Sequence, residues 1–534
     1  MRDEAETGTA PTIEATPLAA PPAYGPELIR DWLARAAERY PGKPYLHSIE
    51  QDKAITYGDL QRTAWRIGAY LRARNIGPND RIVLLANNSL EHLVVYVSVL
   101  AYGATICTVH VEMNRSHFDL ILPALEPSLV LYEEGLGLEA LSSATKAAWL
   151  PLGTWTSAGG SGFFDSLSKL SPDRAAATAA GPEDDAAIYF TSGTSARPKG
   201  VVLTYRELMI NAAYTADAFG MGPDDRIYDF RSFNWASAQI LSALAPISKA
   251  ATLILGVKFS RSHFFQHIAE HKATMAAGNP TTINMLLQGD DSVRGEQLPH
   301  LRFVTSSSAP LLVEEWRRFE DRFGIRIAQG YGSSETGWIA GCTDKTRRYG
   351  AVGKPLAYHR TSIVDGNGRT LPVGEIGYVE IGGFADNKFR YIGDDGKIHV
   401  VATGRTKTGD MGFLDAEGYL HLTGREKDLI IRGGVNIAPL EIDAVLMQMP
   451  DIVEAATVGV PDKIYGEEVV SYVVIKPGAT LSAADIARFC GERLPAFKSP
   501  KRIELRTSLP KTERGKLDRK ALVAAWKAAN GVAA

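Results

Sequence analysis

The stretch YFTSGTSARPKGV, residues 189–201, sets four serine and threonine hydroxyls, two glycines, an arginine and a lysine between apolar runs. Asp185 to Phe190 reads as a buried strand running into it, and Val201 to Leu203 as a short apolar run leading out. Thr204 and Glu207 then stand at capping-box spacing and open a helix. A loop between two regular elements lets backbone N–H groups converge on an anion. Thr191, Ser192, Thr194 and Ser195 add hydroxyl donors, and Lys199 adds a point charge suited to phosphate. The spacing is not that of the Walker loop, because Pro198 stands where its second glycine would be and Gly200 follows Lys199. Taken alone, the stretch reads equally as a polar hairpin-like turn whose hydroxyls bond their own backbone.

The surrounding chain supplies a rhythm. RIVLLAN (81–87) reads as a buried strand, SLEHLVVYVSVLAYG (89–103) as a helix and TICTVHV (105–111) as another strand. Such alternation predicts an α/β fold with parallel or mixed sheets covered by helices. Order is expected from near Pro26, where ELIRDWLARAAERY reads as a helix, and residues 1–25, rich in Ala, Pro and Thr, as a disordered tail without the features of a signal peptide. The charged run Arg425-Glu426-Lys427-Asp428 is a poor core segment and a good connector. After it come LIIRGG, a helix from Pro439, VEAATVGV, EEVVSYVVIK and a helix capped by Ser482 with Asp485. The expected division is therefore a large unit over 26–426 and a small α+β unit over 427–534.

With 534 residues, 45% apolar and 22% charged, the composition is that of a multi-domain globular protein. A formal charge of -3 argues against nucleic acid as a partner. Two uncharged runs, Leu93–Val109 and Ser232–Ser248, approach membrane-spanning length, but their polar residues and Pro246 favour core segments over an integral membrane span. Cys107, Cys342 and Cys490 form no CxxC and read as buried, reduced thiols of a cytoplasmic protein. A homodimer is left open.

Five motifs occur in order: SGTSxxPKG, YGSSETG (331–337), TGD (408–410), GREKDLIIRGGVNIAPLEID (424–443) and PKTERGKLDR (510–519). Together they resemble the acyl- and aryl-CoA synthetases of the adenylate-forming superfamily, which also holds peptide-synthetase adenylation domains and beetle luciferases. The resemblance covers nearly the whole chain after the tail. It implies a two-step reaction: a carboxylate attacks the α-phosphate of ATP, releasing pyrophosphate, and a thiol then displaces AMP. ATP, Mg2+ and coenzyme A are the implied cofactors and co-substrates, alongside a small-molecule carboxylic acid.

The resemblance assigns roles residue by residue. Thr191, Ser192, Gly193, Thr194, Ser195 and Lys199 would cradle the β- and γ-phosphates. Ser308, Ala309, Pro310, Tyr331, Gly332, Ser333 and Ser334 would line the nucleotide site, with Tyr331 on adenine and Ser334 at the α-phosphate. Glu335 would hold Mg2+, a hard cation suited to an oxygen ligand. Asp410 would accept both ribose hydroxyls and Arg425 would contact the nucleotide. Lys427 falls at the hinge about which the small unit swings between half-reactions. Gly433 and Gly434 match the loop lining the pantetheine tunnel, and Lys516 the lysine that stabilises charge in adenylation alone. The chain departs from the family pattern at Ser195-Ala196, at Ser306-Ser307-Ser308, where glycines are usual, and in the segment before Thr408-Gly409-Asp410.

The acid pocket is expected around Phe233, Asn234, Trp235, Gly337 and Trp338. Asn234 cannot neutralise an ammonium, which disfavours an α-amino acid. Trp235 and Trp338 suit an apolar or aromatic acid. Coenzyme A is favoured as acceptor, since the chain ends soon after the Lys516 motif without a carrier domain. The alternatives are a stand-alone ligase loading a carrier protein, and a catalytically dead nucleotide- or acyl-binding protein on the same scaffold.

Overall fold

The computed structural model describes residues 27–172, 177–191, 198–289, 292–382, 388–512 and 516–531. The expected N-terminal tail lies outside them, and the first described helix is Ile29–Arg39. Two large sheets form the bulk of the chain. One has nine strands, in the order Lys354–Pro355, Gly337–Gly341, Ile327–Ser333, Phe303–Ser306, Met275–Ala276, Arg226–Asp229, Thr252–Leu255, Pro44–Ser48, Lys53–Thr56. Its six inner strands are parallel, with antiparallel pairs at both ends. The other has eight strands: Ile398–Thr403, Lys388–Ile392, Lys199–Thr204, Asp185–Thr191, Thr105–Thr108, Arg81–Leu85, Leu129–Tyr132, Ala148–Pro151. It is parallel from Asp185–Thr191 onward and antiparallel before it.

The helix Leu90–Tyr102 is buried at every position, as an apolar helix between two layers must be. It touches strands of both sheets, and one hydrophobic cluster draws residues from each. The first uncharged run is this helix plus the strand Thr105–Thr108, shorter than the expected 105–111. The second folds as a loop and a broken helix, Ala236–Lys249, with a π-helical turn over Gln239–Leu244. Among the described residues no helix is long and apolar enough to cross a membrane.

The strands Arg360–Val364, Gly377–Gly382, Thr406–Leu414 and Leu420–Arg425 form a third, antiparallel sheet. Beyond the exposed turn Glu426–Asp428 comes a last sheet with its own cluster of Ile430, Ile437, Ile442, Leu446, Val469 and Ile486. Helices Pro439–Leu446 and Ala483–Gly491 pack on it, the latter opened by the predicted Ser482–Asp485 box. This part meets the rest through Leu312 and through Arg318, which donates to the carbonyls of Ile452 (3.2 Å) and Met447 (3.3 Å).

Candidate functional site

In parallel α/β sheets, ligands bind beyond the carboxyl ends of the strands. Here those ends are stitched by Asn88, a residue the sequence reading did not single out. It follows the strand Arg81–Leu85, donates to the carbonyls of Arg231 (2.8 Å) and Gly256 (3.2 Å), and accepts from the Phe233 N–H (2.8 Å). One side chain thus ties the end of the eight-stranded sheet to two strands of the nine-stranded one. The signal for it in the sequence is a polar Asn-Asn pair ending an apolar strand.

The hairpin expected to hold phosphate is a strand pair, with Lys199 opposite Thr191 and Thr204 opposite Asp185. Thr204 and Glu207 form the predicted capping box of the helix Tyr205–Ala218. Ser192, Gly193, Thr194 and Ser195 lie outside the described residues, as does the side chain of Thr191. Lys199 is exposed, its ammonium 5.7 Å from the centre of the Tyr391 ring. The Tyr391 hydroxyl in turn donates to Glu335 Oε1 at 3.3 Å. Burial first, and then the Glu335 carboxylate, push this phenol well above its ordinary value, so it stays a donor.

Tyr331, Asp410 and Arg425 come from three strands and converge. Tyr331 donates to Asp410 Oδ2 at 2.6 Å and Arg425 Nε donates to Asp410 Oδ1 at 2.9 Å. Asp410 and Arg425 are register partners across the pair Thr406–Leu414 and Leu420–Arg425. Each Asp410 oxygen has one protein donor and keeps a lone pair, so the carboxylate can still accept two hydroxyls. Burial and Asp410 raise the Tyr331 phenol, which fixes it as a donor.

The loop bearing Ser334 and Glu335 is held from behind. Asn211, buried in the helix Tyr205–Ala218, donates to the carbonyls of Thr336 (3.2 Å) and Trp338 (3.3 Å) and accepts from the Trp338 N–H (3.1 Å). Gly337 must be glycine: its φ is +65° and a Cβ there would lie 2.2 Å from the Asn211 amide. His359 Nε2 meets the Thr336 carbonyl at 3.0 Å, and burial depresses this histidine to about 4, leaving it neutral and donating. A Cβ on Gly332 would lie 2.1 Å from the Gly337 carbonyl, while Ser333 bonds Thr336. Ser308 adopts φ +72°, a left-handed conformation at a position where the family pattern has glycine; Ala309 and Pro310 follow it at the surface.

Around the expected acid pocket, Phe233 is fully buried and Asn234 nearly so. The Asn234 amide donates to the Ala86 carbonyl at 3.1 Å, and its buried Oδ1 has no partner among the described residues. Gln239 donates to Thr108 (2.8 Å) and to the Phe233 carbonyl, with its own Oε1 unpartnered among the described residues. Arg231 pairs with Asp229 through Nε and Nη2 (2.7 Å) while its buried Nη1 has no partner among the described residues. Trp235 is half-buried and stacked on His110 at 6.1 Å. Trp338 sits in the main core, edge-on to Phe219 at 5.3 Å and over Gly330.

The remaining nominated residues are in the C-terminal part. Gly433 (φ +57°) and Gly434 (φ +83°) turn a hairpin between Ile430–Arg432 and Val435–Ile437, beside Tyr465. Lys427 stands within electrostatic reach of Arg425, Asp410 and Lys520. Lys516 is half-buried at the base of a short hairpin, its N–H donating to Thr512 Oγ1 at 3.2 Å.

This arrangement is matched by known proteins. The family model for AMP-binding enzymes matches residues 33–385, and that for the AMP-binding enzyme C-terminal domain matches 441–516. The chain belongs to the AMP-binding enzyme family. The enzyme is 31% identical over 504 residues to the sulfoacetate–CoA ligase of Cupriavidus necator, covering 91% of this chain and 96% of that one. It is 29% identical to the oxalate–CoA ligase of Arabidopsis thaliana, with the same coverage. The crystal structure of ATP-bound MatB from Rhodopseudomonas palustris superposes with a TM-score of 0.82 at 28% identity, over 93% of this chain and 99% of that one. The fold expected from the motifs is the one found, and the reaction class is that of an AMP-forming acid–thiol ligase with ATP and coenzyme A as co-substrates.

Proposed function

We propose that the enzyme activates a small carboxylic acid, not an α-amino acid, whose far end carries a hydrogen-bonding oxygen group. The observation that carries this is Arg231 Nη1, a buried donor with no partner among the described residues; the buried oxygens Asn234 Oδ1 and Gln239 Oε1, likewise unpartnered there, are acceptors that a substrate hydroxyl meets rather than an anion. Unpaired polar groups in a dry site are costly until a ligand meets them. An ammonium finds no free carboxylate there, because Asp229 is engaged by Arg231 and by Ser242 at 2.6 Å. Sulfoacetate and oxalate, the acids named in two relatives, both carry a second anionic group. A second reading, an apolar or aromatic acid, is favoured by half-buried Trp235 stacked on His110 and by an indoleacetate–CoA ligase of Aromatoleum aromaticum, 29% identical over 92% of this chain.

In this reading Thr191 to Ser195 with Lys199 guide the departing pyrophosphate, Ser334 meets the α-phosphate, and Glu335 holds the Mg2+ that offsets phosphate charge. Tyr331 lies against adenine, Asp410 takes the ribose hydroxyls beside Arg425, and Lys516 acts in adenylation. The part beyond Lys427 swings on the exposed turn Glu426–Asp428 to bring Gly433 and Gly434 to the pantetheine arm. Three buried, unpaired cysteines support a cytoplasmic setting.

The test is ATP–pyrophosphate exchange across sulfoacetate, oxalate, longer dicarboxylates, indoleacetate and fatty acids, followed by thioester detection with coenzyme A. Exchange confined to acids with a distal oxygen group supports the first reading. Exchange with indoleacetate or fatty acids alone selects the second. Exchange with none of them sinks both.

A further inference from the structure

Tyr391 belongs to none of the five motifs and lies in the stretch that departs from the family pattern, yet it touches two motif residues at once. Its strand, Lys388–Ile392, pairs antiparallel with Lys199–Thr204, placing Tyr391 opposite Val201. Side chains alternate along strands, so Lys199, two residues before Val201, shares the Tyr391 face. The Lys199 ammonium lies 5.7 Å from the Tyr391 ring centre, within cation–π range. On the same side chain, the hydroxyl reaches Glu335 Oε1 at 3.3 Å. The neighbouring Arg390 points the other way and anchors the strand through Asp185 at 2.6 Å, at the start of the strand that feeds the hairpin. The ring packs against the main core, so neither contact hangs on a loose side chain.

We propose that Tyr391 is a positioning residue that presets Glu335 for the metal and Lys199 for the phosphates. The hydroxyl holds one carboxylate oxygen, leaving Oε2 to face a cation, and the ring keeps the lysine ammonium on the phosphate side of the hairpin. Groups that hold a metal ligand from behind tune its affinity without touching the metal. This rests on the roles proposed above for Glu335 and Lys199.

The test uses the full-length enzyme and three variants, with Mn2+ binding followed by electron paramagnetic resonance in the presence of an α,β-methylene ATP analogue, beside the Mg2+ dependence of pyrophosphate exchange. Tyr391→Phe keeps the ring and removes the hydroxyl; the expected result is a roughly tenfold weaker Mn2+ titration and a matching rise in half-saturating Mg2+, with the KM for ATP at saturating Mg2+ unchanged. Tyr391→Leu removes the ring as well and is expected to raise that KM too. Glu335→Gln separates the two levels of the reasoning. If Glu335→Gln leaves the Mn2+ titration at the parent value, the metal role of Glu335 falls, and this proposal with it. If Glu335→Gln weakens the titration while Tyr391→Phe does not, the proposal for Tyr391 alone is overturned. A Tyr391→Phe enzyme with lower kcat and unaltered metal dependence overturns it as well, because loosened packing alone produces that pattern.

Discussion

Replacing Asn211 tests whether the Ser334–Glu335 loop is set by a helix far from it in sequence. Asn211→Leu keeps the volume of the side chain and deletes its hydrogen bonds to Thr336, Trp338 and Thr215. The carbonyls it leaves are not stranded: that of Trp338 retains the Tyr358 hydroxyl at 2.6 Å, and that of Thr336 retains His359 at 3.0 Å. The Trp338 N–H, by contrast, loses its side-chain acceptor in the core, at a residue paired with Gly332 in the sheet. Buried hydrogen bonds are worth about 0.5–1.5 kcal/mol each, and with both carbonyls keeping other partners the expected loss of stability is about 2–4 kcal/mol. Glu335 is two residues from Gly337, the residue Asn211 presses on, so the loop shifts at the residue proposed to hold the metal. A displacement on the order of 1 Å is worth roughly a hundredfold in rate, and adenylation is expected to fall about 10- to 100-fold. Urea denaturation and pyrophosphate exchange measure the two losses. Asn211→Asp is the informative companion: its carboxylate still accepts from the Trp338 N–H but faces two carbonyl oxygens. Repulsion raises its pKa, so this variant is expected to be destabilised at neutral pH and to recover stability relative to the parent as pH falls. A leucine variant with parent stability and parent exchange rate would refute the reasoning.

Lys516→Ala is expected to abolish adenylation while leaving thioester formation from supplied acyl-adenylate largely intact; equal loss of both half-reactions contradicts its assigned role. Ser308→Gly is expected to stabilise the protein by about 0.5–1 kcal/mol in urea, because a non-glycine residue at φ +72° is strained, whereas Ser308→Val is expected to destabilise it. His92 and His359 are both depressed to about 4 by burial, from an ordinary value of 6.5. Between pH 7 and 5 the unfolded chain takes up protons that the folded histidines refuse, so each lowers stability by about 2 kcal/mol over that window. Stability–pH curves of His359→Gln are expected to be flatter by that amount; an unchanged slope would show that the histidine is not held neutral.

The elements that the sequence itself determined are those closed by neighbours in the chain. The capping boxes at Thr204–Glu207 and Ser482–Asp485 are bonds over three residues, and both form as read. The helix Leu90–Tyr102 and the strands beside it follow from runs of apolar side chains whose partners need not be known. The motifs are contiguous stretches as well, which is why the family and its reaction were legible before any fold. The site's working geometry is not of that kind. Tyr391 meets Glu335 across 56 residues, Asn88 meets the Arg231 carbonyl across 143, and Asn211 meets Trp338 across 127. A tyrosine or asparagine carries no local mark of such a contact, because its partner is chosen by sheet register and helix packing. The buried polar atoms around the proposed acid pocket were hidden for the same reason. Trp338 looks like a pocket wall in the sequence, but its ring is turned into the core by Phe219 and the bare face of Gly330. Arg231 carries no mark in the sequence of its buried pairing with Asp229, which Ser242 also holds, or of the Nη1 left without a partner among the described residues. Local hydrogen bonding and hydrophobic pattern determined the elements and the motifs they carry; only long-range packing decided which side chains are brought together.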